Sequence, residues 1–299
     1  MSAPPEIFDR KVLVQRLGRV ARAAGDHDFL LRRTATDLAE RLAIVQRSFK
    51  TAVNLGAYHG IVSEAIAALP NIGPVINATS PEALLARLSG GKLGVDEEKL
   101  PFAPQSLDLI VSGLALHLVN DLPGVLVQAQ RALKPDGLLL ASLLGGATLH
   151  ELRVSWIVAE EQISGGASPR VAPFADVRQL GGLLQRAGFA LPVADSDTVC
   201  VTYADPLALM REIKAMGMSN MLAARRRVPV TRRLLTRAAE VYADRFGLPD
   251  GRIQATFEII TLTGWVPHES QPQALKPGSA KTSLADALQT RRAAPSGDT

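Results

Sequence analysis

Several features that define common protein classes are scarce in this chain of 299 residues. Its one cysteine, Cys200, excludes an intramolecular disulfide and any cysteine-rich metal site. No apolar run reaches the ~18–20 residues that cross a bilayer as a helix, since the longest candidate, 107–120, is interrupted by Asp108 and His117. Aromatic residues make up only 4% of the chain and do not interleave with the clustered arginines. We therefore expect neither a transmembrane segment nor a nucleic-acid partner.

The composition is that of a globular protein, with 47% hydrophobic and 21% charged residues. This length suits one large α/β domain or two small ones. Basic residues cluster at 225–227 and 232–233, which favours either a solvated helix surface or a surface that docks an acidic partner or an anionic lipid. The basic N-terminal segment 1–33 contains acidic residues and lacks the apolar core of a secretory signal. We therefore expect a cytoplasmic protein in which peripheral membrane contact remains an alternative.

The spacing of apolar residues predicts a helical N-terminal extension over residues 1–48, followed by alternating strands and helices. In the extension, helices are predicted at 11–23 and 34–47. Further strands are predicted at 51–55, 74–78, 92–95, 106–112, 138–144, 193–202 and 253–266. Further helices are predicted at 61–69, 81–88, 122–133, 149–163, 175–187, 207–216 and 231–246. The composition of residues 134–137 predicts a turn.

This alternation predicts an α/β domain over residues 49–268, with a mainly parallel sheet and helices on both faces. In such sheets, ligands bind beyond the carboxyl ends of the strands. Segment 145–175 contains paired glycines and two prolines around one helix, and is either a lid over that edge or an ordinary surface excursion. The tail 269–299 is predicted to be flexible.

A glycine-containing loop, residues 54–60, follows the first strand of the domain. Glycine lets a backbone approach a nucleotide closely, but any tight strand-to-helix turn favours it. More specific motifs come later in the chain, at 96–102, 106–111, 116–117, 120–123 and 133–137. Their order resembles that of the class I S-adenosylmethionine (SAM)-dependent methyltransferases. The resemblance implies a Rossmann-like, doubly wound sheet of seven strands.

A second set of blocks narrows the resemblance. These blocks lie at 145–153, 168–169, 173–174, 183–189, 264–265 and 268–270. They are similar to those of the bacterial relatives of mitochondrial complex I assembly factor five, which neighbour the malonyl-acyl-carrier methyltransferases. This resemblance runs from about residue 6 to 285. It implies a protein substrate, with a quinone-module subunit of complex I as the candidate, and either methylation or arginine hydroxylation as the reaction.

The resemblance also implies a SAM site at the carboxyl edge of the sheet. The matching positions are Asn54, Gly56, Tyr58, Gly60, Ala78, Asp96, Glu97, Ser112 and Leu114. Three of them depart from the family pattern: Asn54 replaces an acid, Tyr58 replaces a glycine, and Ala78 replaces the acid that binds the ribose hydroxyls. A methyl group accepts no hydrogen bond, so Ala78 removes a charge-assisted contact. Asp96 and Glu97 match the position that meets the adenine amine, although a solvated loop pair is the alternative interpretation.

Methyl transfer depends mostly on positioning, so few side chains are expected to be catalytic. His117 is the candidate base, and Glu151 and Arg153 are candidate substrate-side residues. The alternatives are a packed or capping histidine and a surface ion pair. No His, Asp or Glu grouping has the spacing of a metal site. Two further functions stay open: a non-catalytic assembly or binding protein with a degenerate SAM site, and a methyltransferase for a small molecule or an acyl carrier.

Overall fold

A computed structural model describes residues 6–22, 27–80 and 82–272, and its centre is a seven-stranded sheet. The strands are β1 (Ala52–Leu55), β2 (Val75–Thr79), β3 (Gly91–Gly94), β4 (Leu107–Gly113), β5 (Leu133–Leu144), β6 (Ala190–Tyr203) and β7 (Ile253–Trp265). Their spatial order is β3-β2-β1-β4-β5-β7-β6. The first five strands in this order are parallel, whereas β7 runs antiparallel to both β5 and β6. The predicted α/β fold class is confirmed.

Helices cover both faces of this sheet. They are α1 (Arg10–Arg22), α2 (Phe29–Ala43), α3 (Ile61–Ala67), α4 (Glu82–Leu85), α5 (Leu122–Ala132), α6 (His150–Ser164), α7 (Val177–Arg186), α8 (Pro206–Ala215) and α9 (Arg232–Phe246). No described helix is long and apolar enough to cross a membrane.

Strand β4 shows why the sheet is covered on both sides. All seven of its residues are buried, because successive side chains point to opposite faces. Val111 lies in one apolar cluster with Leu38 of α2. Ile110 lies in a second apolar cluster with Leu126 of α5 and Leu180 of α7. The reversal of strand order between β1 and β4 places the candidate ligand edge beside this strand.

The boundary of β5 differs from the prediction. Residues 134–137 were expected to form a turn before a strand at 138, but β5 already begins at Leu133. Leu133 pairs with Leu107 and Leu138 with Leu109, so the register shifts between the two pairs. The turn-forming residues are accommodated as this irregularity, and Asp136 there has a φ of 62°. The composition therefore predicted the position of this irregularity, although the strand continues through it.

The N-terminal helices differ from the prediction mainly in where α2 begins. It starts at Phe29 rather than at residue 34, because Leu30 and Leu31 are buried against the domain. Leu38 and Leu42 are fully buried in the same apolar cluster as Val111 of the sheet. The predicted extension thus packs directly on the sheet domain. Residues 273–299, most of the predicted tail, lie outside the described residues, as does Pro81 at the start of a predicted helix.

Candidate functional site

The glycine loop after β1 is held by internal contacts. Asn54 is buried, and its side-chain amide donates to the hydroxyl of Ser63 on α3 at 2.8 Å. Gly56 has a φ of 71°, and a Cβ built on it would lie 2.1 Å from the Cβ of Ala115. Gly60 has a φ of 75° and caps α3. These glycines are therefore required by backbone conformation and by packing, whether or not a ligand is present.

Tyr58 and Ala78 are two positions at which the chain departs from the pattern that the resemblance implies. The resemblance implies a glycine at position 58 and an acid at position 78. The side chain of Tyr58 is buried in the apolar core, where burial, with a further contribution from the charge of Glu97, raises the pKa of its hydroxyl. Ala78 at the end of β2 is completely buried. Its carbonyl oxygen accepts hydrogen bonds from the backbone N–H groups of Gly56 and Ala57, at 2.8 and 3.2 Å. The loop therefore closes down onto the end of β2.

Asp96 and Glu97, the predicted adenine contacts, hold the guanidinium group of Arg10 from α1. The Nη2 atom of Arg10 lies 2.9 Å from Asp96 Oδ1 and 2.6 Å from Glu97 Oε2, and its Nε atom lies 3.8 Å from Glu98 Oε1. Its Nη1 atom donates to the carbonyl oxygen of Leu118 at 3.4 Å. Burial alone lowers the pKa of Arg10, but the charges and hydrogen bonds of Glu97 and Asp96 outweigh it and hold that pKa above the ordinary value. We call residues 96–98 the acidic cluster.

Glu97 is the fixed member of the acidic cluster. Only 2% of its side chain is exposed. Besides Arg10, it accepts hydrogen bonds at 3.3 Å from the hydroxyl of Thr79 and from both the backbone N–H and the hydroxyl of Ser80. The carboxylate is therefore oriented by the end of β2 independently of Arg10.

A short N-terminal strap, residues 7–10, carries Arg10 to the acidic cluster. The side-chain oxygen of Asn120 accepts hydrogen bonds from the backbone N–H groups of Ile7 and Phe8, at 2.8 and 2.7 Å. Its side-chain nitrogen donates to the carbonyl oxygen of Phe8 at 3.2 Å. At the other end, Asp9 pairs with Arg225 at 3.0 Å. The Asn120 contacts tie the strap to the loop that follows β4, and the ion pair ties it to the segment between α8 and α9.

The residues at this edge do not fit the nucleoside of SAM in the conformation described. The carboxylates that would meet the adenine are engaged by Arg10, and the end of β2 offers a methyl group where the ribose needs an acceptor. The ring of Tyr58 is buried at the position where the resemblance implies a glycine. Binding of SAM would require at least Arg10 to withdraw.

A cavity of about 1120 Å³ opens beside the strap and contains three of the predicted site residues, Tyr58, Leu114 and His117. Its wall is mostly apolar and includes Phe8, Leu17, Leu152, Trp156, Phe174 and Phe257. Six basic residues also line it, Arg19, Arg32, Arg87, Arg170, Arg211 and Lys214, against two acidic ones, Asp28 and Glu64. This combination of an apolar body and positive charge suits an amphipathic ligand.

His117 is a buried polar residue of this wall. It is 8% exposed, and neither of its ring nitrogens has a hydrogen-bond partner among the described residues. Its ring meets that of Phe174 edge to face, with the centroids 5.3 Å apart. Burial lowers the pKa of His117 to about 3. The side chain is therefore a neutral imidazole that can donate one hydrogen bond and accept another.

Glu151 and Arg153 do not line this cavity. Glu151 is buried at the start of α6 and accepts a hydrogen bond from the hydroxyl of Thr256 on β7. Arg153 donates to the carbonyl oxygens of Gly146 and Ala172 at 3.4 and 3.3 Å and borders a smaller cavity of about 420 Å³. Glu151 thus fastens segment 145–175 to β7, whereas these bonds of Arg153 lie within the segment itself. A substrate-side role for them stays a prediction.

The remaining predicted cofactor positions do not line the cavity. Asn54, Gly56, Gly60, Ala78, Asp96, Glu97 and Ser112 are not among its lining residues. Ser112 is completely buried, and its hydroxyl has no partner among the described residues. No group of three or more His, Cys, Asp or Glu side chains in the described ranges is arranged to hold a metal ion.

Sequence reasoning did not identify Arg10, Asn120, Trp156 or Arg170. Arg10 lies 86 positions before Asp96, so no local pattern connects the two. Arg170 stacks over the ring of Trp156 at 4.6 Å and pairs with Glu160, which is completely buried. In the sequence, this pair is indicated only by Glu160, a charged residue on an otherwise apolar face of α6.

Comparison with known proteins gives the family. A family profile described as a methyltransferase domain matches residues 53–141. The mitochondrial arginine hydroxylase NDUFAF5 of Homo sapiens is 36% identical over 287 residues, which cover 94% of this chain and 83% of that protein. A malonyl-[acyl-carrier protein] O-methyltransferase of Halorhodospira halophila is 30% identical over 266 residues, which cover 86% of this chain and 88% of that protein.

Solved structures agree on the fold. The crystal structure of a Bacillus halodurans protein described as a methyltransferase superposes with a TM-score of 0.54 at 17% identity, and the match covers 78% of this chain and 99% of that one. Because the relatives match over most of their length, well beyond the methyltransferase domain, the chain belongs to the class I SAM-dependent methyltransferase family, in the group that includes the NDUFAF5 arginine hydroxylases.

Proposed function

We propose that this protein modifies an arginine side chain of a protein substrate during assembly of respiratory complex I, with a quinone-module subunit as that substrate. The observation that carries the proposal is the extent of the match to the arginine hydroxylase NDUFAF5. It covers 94% of the chain and so extends far beyond residues 53–141, which the methyltransferase profile matches. The reaction is hydroxylation rather than methylation, and the protein works in the cytoplasm.

The cofactor edge supports this choice of reaction. Methyl transfer requires a bound SAM, whereas Tyr58, Ala78 and the Arg10 ion pairs oppose its nucleoside in the described conformation. Hydroxylation inserts one oxygen atom of O₂ into a C–H bond, and the other oxygen atom leaves as water after taking up two electrons from an external reductant and two protons. The protein's own contribution is to hold the arginine in place and to exclude water.

The test is a deletion strain in which complex I is isolated and the arginines of the quinone-module subunits are examined by mass spectrometry. The parent strain should carry one extra oxygen atom on one arginine, the deletion strain should lack it, and a plasmid copy of the gene should restore it. A deletion strain with the same modified arginine as the parent would refute the proposal.

A second candidate, methylation of an acid carried on an acyl carrier, is favoured by the apolar cavity with its six basic residues. The similarity to malonyl-[acyl-carrier protein] O-methyltransferase points the same way. Calorimetry separates the two, because this candidate requires SAM to bind the parent protein at micromolar to millimolar concentration. In the same measurement, Tyr58→Gly with Ala78→Asp tests a vestigial site, since only a degenerate site should gain SAM affinity from these changes.

A further inference from the structure

Residues 226–233, which lead from the segment after α8 into the first turn of α9, are all exposed. We propose that this stretch, which we call the basic loop, docks the protein on the surface of an anionic lipid bilayer. Four of its residues are arginines, three are apolar and none is acidic: Arg226, Arg227, Val228, Pro229, Val230, Thr231, Arg232 and Arg233. Docking of this kind is separate from the modification of a protein substrate, so either could hold without the other.

The positive charge of the protein is concentrated around the basic loop. Segment 206–239 carries eight basic residues and a single acidic one, Glu212. The whole chain has a net charge of only +4, so the remaining residues taken together are net negative. A charge distribution of this kind attracts and orients a protein towards a negatively charged surface.

The arginines of the basic loop form no ion pairs within the described part of the chain. Arg225, directly before the loop, differs from them because it pairs with Asp9 at 3.0 Å. Arg232 and Arg233 also occupy the first turn of α9, where the helix dipole disfavours positive charge. An anionic surface would relieve both this dipole interaction and the repulsion among the arginines.

The apolar tip of the basic loop lies between two anchored ends. On one side, Leu222 is buried in the apolar core. On the other side, the hydroxyl of Thr231 caps α9 by accepting a hydrogen bond from the backbone N–H of Leu234 at 3.3 Å. Between these anchors, Val228 and Val230 are 56% and 41% exposed. The protein therefore holds two apolar side chains in solvent on a loop whose ends are fixed.

This combination favours a bilayer over an acidic protein as the partner. Apolar side chains with arginines on both sides can enter the boundary between headgroups and acyl chains while the guanidinium groups stay among the lipid phosphates. Pro229, between the two valines, has no backbone N–H, so one polar group fewer has to lose its water. Arginines alone would be enough to recognise an acidic protein, which gives no reason for the exposed valines.

The basic loop also borders the large cavity. Val230 lines that cavity although it is exposed, and so do Arg211 and Lys214 of α8. The four methionines of the described residues line it as well, and they are Met210, Met216, Met218 and Met221. Methionine side chains adapt to flexible apolar ligands. Docking through the basic loop would therefore bring this side of the cavity to the bilayer, from which an amphipathic ligand has a short path inwards.

The experiment measures binding of the full-length protein to vesicles by co-sedimentation. The anionic vesicles contain phosphatidylcholine and phosphatidylglycerol in equal parts, and the neutral vesicles contain phosphatidylcholine alone. An arginine beside an anionic bilayer contributes about fivefold in affinity, so Arg226→Gln with Arg227→Gln should bind the anionic vesicles about 25-fold more weakly than the parent.

The matched control is Arg178→Gln with Arg186→Gln. It removes two exposed arginines of α7, which packs on the other face of the sheet. Charges that are farther from the bilayer than a Debye length are screened, so this variant should bind within about threefold of the parent.

A second measurement tests whether the apolar tip enters the bilayer. In Val228→Trp, the indole ring suits the headgroup region, so binding to anionic vesicles should tighten by about threefold or more. The added tryptophan emission should also shift to shorter wavelength on binding. Val193→Trp is the matched control, because Val193 is 52% exposed and lies at the opposite end of β6 from α8. It should show neither change.

Three results would overturn the proposal. They are binding to anionic vesicles no tighter than to neutral ones, equal losses for the two double arginine variants, and an unshifted emission of Val228→Trp on vesicles that bind it. The last result, together with tight binding to soluble poly-L-glutamate, would assign the basic loop to an acidic protein instead.

Salt provides a check on the parent protein, which needs no substitution. Raising the ionic strength from about 0.1 M to about 1 M shortens the Debye length from about 10 Å to about 3 Å. Binding to anionic vesicles should weaken at least about tenfold over this range. Undiminished binding at the higher ionic strength would overturn the role of the arginines.

Discussion

His117, in the wall of the candidate cavity, should make the free energy of unfolding depend on pH. Its pKa is about 3 in the folded protein because the ring is buried, whereas an unfolded histidine titrates near 6.5. The folded state therefore keeps His117 neutral at pH values where the unfolded state binds a proton. A group of this kind favours folding fully above pH 6.5, and that contribution is lost progressively as the pH falls towards 3.

The magnitude follows from this difference in pKa. Each pH unit below 6.5 stabilises the unfolded state by about 1.4 kcal/mol, so lowering the pH from 7.5 to 5.0 costs about 2 kcal/mol through this one residue. In His117→Phe, this part of the pH dependence disappears. The aromatic contact with Phe174 is kept, and two unpartnered nitrogens are removed, which by itself stabilises the protein by about 1–3 kcal/mol at pH 7.5.

The assay is urea-induced unfolding of the parent and of His117→Phe at pH 7.5 and pH 5.0. Between the two pH values, the free energy of unfolding should fall by about 2 kcal/mol more in the parent than in the variant. His268→Gln is the control, because it removes an exposed histidine whose ring bonds to Ser270. Equal losses in the parent and in His117→Phe would refute the reasoning, since they would mean that the folded protein accommodates a protonated His117.

Two further predictions use the same unfolding measurement. Glu160→Gln should lower the free energy of unfolding by about 3–5 kcal/mol, because it leaves the guanidinium of Arg170 without its buried counter-charge. Combining Glu160→Gln with Arg170→Met should recover most of that loss. A double variant as unstable as the single one would contradict this. Gly56→Ala should cost about 2–5 kcal/mol, from the left-handed backbone and from overlap with Ala115. Gly251→Ala, at a similar φ of 81° with nothing within 4 Å, should cost only about 1–2 kcal/mol, and equal losses at the two glycines would contradict the packing role of Gly56.

The sheet was predictable because its strands are marked locally. All seven residues of β4 are buried, and four of them, Leu107, Leu109, Ile110 and Val111, are apolar, which is typical of a strand covered on both faces. The antiparallel placement of β7 between β5 and β6 was not predictable from such local patterns. It depends on pairings such as Ser142 with Thr261, more than a hundred positions apart, which no local pattern encodes.

The site was predictable only where its residues follow strands. Tyr58, Leu114 and His117 come after β1 and β4, and the carboxyl ends of neighbouring parallel strands meet at one edge, so these three share the cavity. Arg10 reaches that edge from an N-terminal helix whose periodicity indicates only an amphipathic surface. The position of Glu151 in a family block predicted a substrate-side residue. In the structure its carboxylate binds Thr256, because a buried polar group needs partners.

The strap also affects the apparent affinity of any ligand that binds at the acidic cluster. When a binding-competent state is populated only in part, the apparent dissociation constant equals the intrinsic one divided by that fraction. A strap open for about one tenth of the time would thus weaken any ligand of the acidic cluster about tenfold, with no change in the contacts the ligand makes. Weak binding of SAM by the parent protein would therefore reflect the contacts of Arg10 and Asn120 as much as those of the ligand. Comparing each ligand on the parent and on Arg10→Ala separates the two contributions, because only the closed fraction differs between these proteins for a ligand that does not touch residue 10.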